Sequence, residues 1–176
     1  MDQVEQLKAE LAATRRALGE LRLQYDIAST MDPVTGLLNG NGVFDVVDEA
    51  SARQARTSEP FALLLISVPG LDIVREAYGD RLFVEAVRDV GALVGASLRD
   101  MDRVGRIDDS CFLCVLPWMS EEGLAPLRLR LSRVVSSLGD SFVPEFASVA
   151  ATPFAPVDAD DLLTVLATAT PRPASP

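Results

Sequence analysis

Apolar residues recur at alternating spacings of three and four through the first 30 positions: Val4, Leu7, Leu11, Leu18, Leu21, Tyr25 and Ala28, with Thr14 the polar member of the series. This is the seam of a coiled coil, in which each apolar knob is buried by a partner helix. Glu5, Lys8, Glu10, Arg15, Arg16 and Glu20 take the remaining faces. The stripe is narrower than a helix needs to pack broadly on its own globular domain. Residues 1–30 are therefore predicted to form a dimerisation helix pairing two parallel copies.

Asp32-Pro33 breaks that pattern, and Asn39-Gly40-Asn41-Gly42 reads as a loop before a helix over Val43–Ala55. The apolar run Phe61–Val68, closed by Pro69-Gly70, predicts a buried strand. Helices over Leu71–Tyr78 and Asp80–Leu98 follow, hinged at Gly79. Arg103–Arg106 and Ser110–Leu116 flank an Asp-Asp corner as a β-hairpin. Leu124, Leu127, Leu131, Val134 and Val135 line one face of a helix over Glu121–Leu138. A last strand is expected at Phe146–Ala151 and a short helix at Ala159–Ala169. The proline-rich residues 170–176 read as a disordered tail. The expected organisation is a helix over 1–30, a domain over 31–169 and a tail over 170–176. Strands, hairpin and helices in this order predict an α+β domain around a mostly antiparallel sheet.

Composition narrows the partners. The 176 residues, 48% of them hydrophobic, suffice for one core. A net charge of -10 argues against nucleic acid and against an anionic membrane surface, both of which need a basic footprint. No apolar run approaches the ~20 residues of a membrane span, and a cytoplasmic location is expected. Cys111 and Cys114 form a C-x-x-C, but the chain has no histidine and no further cysteine to complete a zinc site. Three residues apart on a strand, the two thiols should face opposite sides and serve as core residues. Absence of histidine also removes the usual general base.

The segment Asp32-Pro33-Val34-Thr35-Gly36-Leu37-Leu38-Asn39 resembles the D-x-L-T-G-L-x-N opening of bacterial GGDEF (diguanylate cyclase) domains. The register continues through Phe61–Val68, Tyr78-Gly79 and Arg99–Pro117, so the resemblance spans Met31 to Ala169. It implies the nucleotidyl-cyclase-like fold, and a coiled-coil signalling helix commonly precedes such a domain. Family members condense two GTP molecules into cyclic di-GMP with two metal ions per subunit. Against that pattern this sequence is degenerate. The signature G-G-[DE]-E-F reads Asp108-Asp109-Ser110-Cys111-Phe112, and the family's metal carboxylate at the end of the first strand reads Ser67. One hydroxyl and one thiol are poor ligands for Mg²⁺, which prefers charged hard oxygens. The family's F-K reads Leu71-Asp72, its guanine-reading N-D reads Arg75-Glu76, and its later G-D reads Phe83-Val84. The departures imply a pseudoenzyme, with no enzyme activity, metal or cofactor expected.

The resemblance also offers a binding site. The family's inhibitory R-x-x-D, whose aspartate lies five residues before the signature loop, reads Arg99-Asp100-Met101-Asp102 followed by Arg103–Ile107. There the arginine forks onto guanine and the aspartate accepts from the base edge. A further arginine, eighteen residues past the signature phenylalanine, reads Arg130, with Arg128 and Arg133 nearby. The plainer reading is an i,i+3 ion pair at a helix end and the solvated face of an amphipathic helix. Two functions follow: a cyclic di-GMP receptor acting through Arg99, Asp102 and Arg130 on an unidentified protein partner, or a ligand-free dimeric scaffold. GTP binding without turnover is opposed by Asp72, Asp108 and Asp109.

Overall fold

In the computed structural model, which describes residues 14–16, 18, 30–151 and 164, a continuous apolar stretch becomes the centre of the domain. Phe61–Ser67 forms strand β1, buried along nearly its whole length because both faces of the sheet are covered. Before it lies helix α1 (Gly40–Thr57), and after it come α2 (Gly70–Tyr78) and α3 (Asp80–Ala96). Strands β2 (Arg103–Arg106) and β3 (Cys111–Pro117), helix α4 (Glu121–Ser136) and strand β4 (Glu145–Ala151) complete the order. The sheet runs β2-β3-β1-β4 and every pairing is antiparallel. This is the expected α+β fold.

Strand alternation divides the core in two. Ala62, Leu64 and Ile66 face a cluster with Leu71, Phe83, Val87, Val90, Leu124, Leu127 and Leu131 of α2, α3 and α4. Phe61, Leu63 and Leu65 face the other way, toward Val43 and Val47 of α1. Cys114 belongs to the first cluster and Cys111 packs against the second, so the two thiols diverge as their spacing predicts.

Several boundaries differ from the sequence expectation. Helix α1 begins at Gly40 because Asn39 caps it, its side-chain oxygen accepting from the Gly42 N–H at 3.0 Å. The Asn39–Gly42 stretch is thus a helix start, and it has to be glycine at 42: a Cβ there would collide with the Thr30 carbonyl. Helices α3 and α4 stop at Ala96 and Ser136, each two residues short of the expected end. Ser110 lies in the turn, with β3 starting at Cys111.

The opening motif is a compact turn clipped to the edge of β2. The Asp32 carboxylate accepts from the Thr35 N–H at 3.0 Å and the Thr35 hydroxyl at 2.6 Å. Leu38 donates its N–H to the Val104 carbonyl, and the Arg106 N–H donates back to Leu38 at 2.7 Å. The edge of β2 is thereby covered, which blocks strand addition there. Most of the predicted helices over 1–30 and 159–169, and the predicted tail, lie outside the described residues. Within 1–30, Thr14, Arg15, Arg16, Leu18 and Thr30 are helical, and Leu18, a seam position, is exposed in the single chain.

Candidate functional site

Two places on the domain gather the residues singled out from the sequence. The first is the end of the sheet where β1 stops and the β2–β3 hairpin turns. The antiparallel register sets Ser67 opposite Cys111, and the Val68 N–H donates to the Ser110 carbonyl at 2.9 Å, drawing the turn onto the end of β1. Burial raises the Cys111 thiol above its ordinary range, opposed by hydrogen bonding to the Ser67 and Ser110 hydroxyls. A protonated thiol and a hydroxyl make a donor pair that does not fit Mg²⁺. Among the described residues no group of three or more His, Cys, Asp and Glu side chains is placed to hold a metal ion.

The turn itself is held by a chain of charges. Arg75, on α2, donates to the Asp109 carboxylate at 2.5 Å. Arg106, on β2, donates to the other Asp109 oxygen at 3.2 Å and lies 3.4 Å from Asp32. The Arg75 guanidinium sits 3.6 Å above the Phe83 ring centre, a stacked cation–π contact. Hydrogen bonding to Arg75 pulls the Asp109 carboxyl below the usual carboxylate range, with the charges of Arg75 and Arg106 adding to the effect. Asp32, Arg106, Ile107, Asp108 and Asp109 line an open polar cleft of about 200 Å³. Asp108 is exposed and accepts from the Asp109 N–H, stiffening the corner.

The second place is the loop after α3. Arg99 is exposed, and its N–H donates to the Asp102 carboxylate at 2.9 Å while the Asp102 N–H returns to the Arg99 carbonyl at 3.0 Å. Asp102 is only 8% exposed, and its other carboxylate oxygen is buried without a hydrogen-bond partner. That carboxylate faces Cys114, whose thiol is pushed far up, first by burial and then by the Asp102 charge. Arg130, from α4, donates to the Ser97 carbonyl at 2.6 Å. Arg130 is thereby brought to the C-terminal end of α3, at a residue two positions before Arg99. Arg128 instead bonds Ser148 and Glu121, and points to β4.

Sequence reasoning read Arg75 and Phe83 only as losses and gave Arg106 no role. The charges of Arg75 and Arg106, opposite to those of Asp109 and Asp32, were the available signal, but only the packing of α2 and α3 against the hairpin makes the group neighbours.

The family model described as "Diguanylate cyclase, GGDEF domain" matches residues 29–150. Among solved structures, the coiled coil and GGDEF domain of DgcB from Caulobacter crescentus, in complex with c-di-GMP, is similar with a TM-score of 0.86 at 17% identity, over 95% of this chain and 92% of that one. Diguanylate cyclase SiaD of Pseudomonas aeruginosa, in complex with its activator SiaC, is similar with a TM-score of 0.75 at 19% identity, over 95% of this chain and 66% of that one. The FimX GGDEF domain from Pseudomonas aeruginosa is similar with a TM-score of 0.73 at 18% identity, over 80% of this chain and 91% of that one. No described helix is long and apolar enough to cross a membrane. With the motif turn, the four-stranded antiparallel sheet and the family match in agreement, this chain belongs to the GGDEF domain family.

Proposed function

We propose that this protein is a catalytically inactive GGDEF signalling domain of the cytoplasm. In this reading it binds cyclic di-GMP through Arg99, Asp102 and Arg130, relays the bound state to a protein partner, and works as a dimer paired through residues 1–30. The observation that carries the receptor reading is Arg130 of α4 held on the Ser97 carbonyl, two residues before the exposed Arg99. An exposed guanidinium can fork onto a guanine edge, and a second one nearby can neutralise phosphate. Inactivity is supported by the Ser67–Cys111 pair at the end of the sheet, where the family pattern calls for carboxylates. The DgcB complex with c-di-GMP and the SiaD complex with SiaC make a ligand and a protein partner natural expectations for the fold.

The second reading is a ligand-free dimeric scaffold. It is favoured by Asp102, whose bond to the Arg99 N–H closes a turn and needs no ligand. Calorimetric titration with cyclic di-GMP, repeated on Arg99→Ala, separates the two. Heat that disappears with Arg99→Ala supports the receptor. Absence of heat and of thermal shift at saturating ligand leaves the scaffold.

A further inference from the structure

The Arg75–Asp109–Arg106 arrangement is more than a neutralised surface. Two guanidinium groups from separate elements converge on one carboxylate at the end of the sheet. Each is held in place from behind: Arg75 stacks on Phe83 of α3, and Arg106 pairs with Asp32, both partners of that pair being about nine-tenths buried. Planar, pre-oriented guanidinium forks of this kind are what phosphate recognition uses. Asp109 does not exhaust them. The Nε–H of Arg75 and that of Arg106 are both buried and without a hydrogen-bond partner, the Asp80 carboxylate lying 3.9 Å from the first. Each is a donor that Asp109 leaves unused.

We infer that Asp109 is an internal anion filling an anion-binding pocket built by Arg75 and Arg106, so that the parent protein takes no nucleoside triphosphate at this cleft. The inference rests on the proposed reading that this face of the domain performs no chemistry. Asp109 needs no translational entropy to occupy the pocket, because it sits three residues from Arg106 on the same hairpin. A polyphosphate arriving from solution has to displace it and then face Asp32 and Asp108 in the cleft, with Asp72 and Asp80 close enough to Arg75 to act on its charge. With both arginines already neutralised, the cleft offers an incoming phosphate no uncompensated cation among its described lining residues.

The test is titration of the full chain with GTP and, separately, with inorganic pyrophosphate. The parent is expected to bind neither at millimolar concentration. Asp109→Ala is expected to gain binding of pyrophosphate by about tenfold or more over the parent, roughly the energy of one charge-assisted bond. That gain should fade with added salt and vanish in Arg75→Ala/Asp109→Ala. Asp109→Asn, which keeps the side-chain shape, should gain in the same direction and decides the matter if Asp109→Ala perturbs the turn. Binding by the parent as tight as by the variants, or a gain that survives loss of Arg75, overturns the inference. Titration of Asp109→Ala with cyclic di-GMP separates the two proposals: loss of that ligand alone would count against the Arg99 site and leave the internal anion standing.

Discussion

Ser67 and Cys111 stand directly across the β1–β3 ladder, so that a hydroxyl and a buried-side thiol close the end of the sheet. Neither carries charge at neutral pH, and the thiol is driven further from ionisation by burial. The purified protein is therefore expected to make no cyclic di-GMP from GTP with either Mg²⁺ or Mn²⁺. Product detected by chromatography, and lost on changing Ser67 or Cys111, would sink the inactive reading.

Cyclic di-GMP is expected to bind at micromolar affinity or better, about -8 kcal/mol or stronger. Arg99→Ala should weaken it by about 1–3 kcal/mol, the usual value of a bidentate contact to guanine. Arg130→Ala should weaken it less, through lost charge. Asp102→Ala carries a different signature: because the carboxylate closes its own turn, melting temperature should fall even without ligand, by the equivalent of about 1 kcal/mol. Calorimetry and thermal denaturation on the three variants read these effects separately.

The Asp109 ion pair predicts an acid-sensitive contribution to stability. Arg75 lowers the folded-state carboxyl below its unfolded value, so the contribution is complete above the ordinary aspartate range, about pH 4. It is lost as pH falls from there through the depressed folded value. Asp109→Asn should therefore lower melting temperature modestly at neutral pH, the pair being half exposed, and flatten the acid limb by the same amount. An unchanged acid limb would mean that the pair does not form in solution.

The apolar seam over residues 1–30 predicts a parallel dimer. Deletion of that segment should give a monomer by sedimentation equilibrium, since the acidic domain repels its own copy. Full-length protein sedimenting as a monomer at tens of micromolar would argue against pairing, because a weak coil should still associate there.

Much of the fold was legible before any coordinates. Periodicity located every described strand and helix within a few residues, and the three-residue spacing of Cys111 and Cys114 told that they face apart. Boundaries slipped where a cap decided the matter, as at Asn39, whose side chain turns an apparent Gly-rich loop into a helix start. The R-x-x-D spacing suggested a ligand site or an ion pair at a helix end, and could not tell that the buried Asp102 carboxylate bonds the Arg99 backbone N–H instead.

The order of elements, the two-faced core and the departures at Ser67 and Asp108–Cys111 follow from the chain alone, because local periodicity and residue chemistry are short-range properties. Asp32, Arg75, Phe83 and the hairpin pair Arg106 and Asp109 come from four separate stretches, and read singly none of them shows the unit they form. Their joining into one stacked and ion-paired unit depends on α2 and α3 packing against the same end of the sheet as the hairpin turn. Likewise Arg130 reaches the Ser97 carbonyl, two residues before Arg99, only because α4 lies against α3. Charge acts over a few ångströms, and which charges come that close is settled by how buried apolar faces stack.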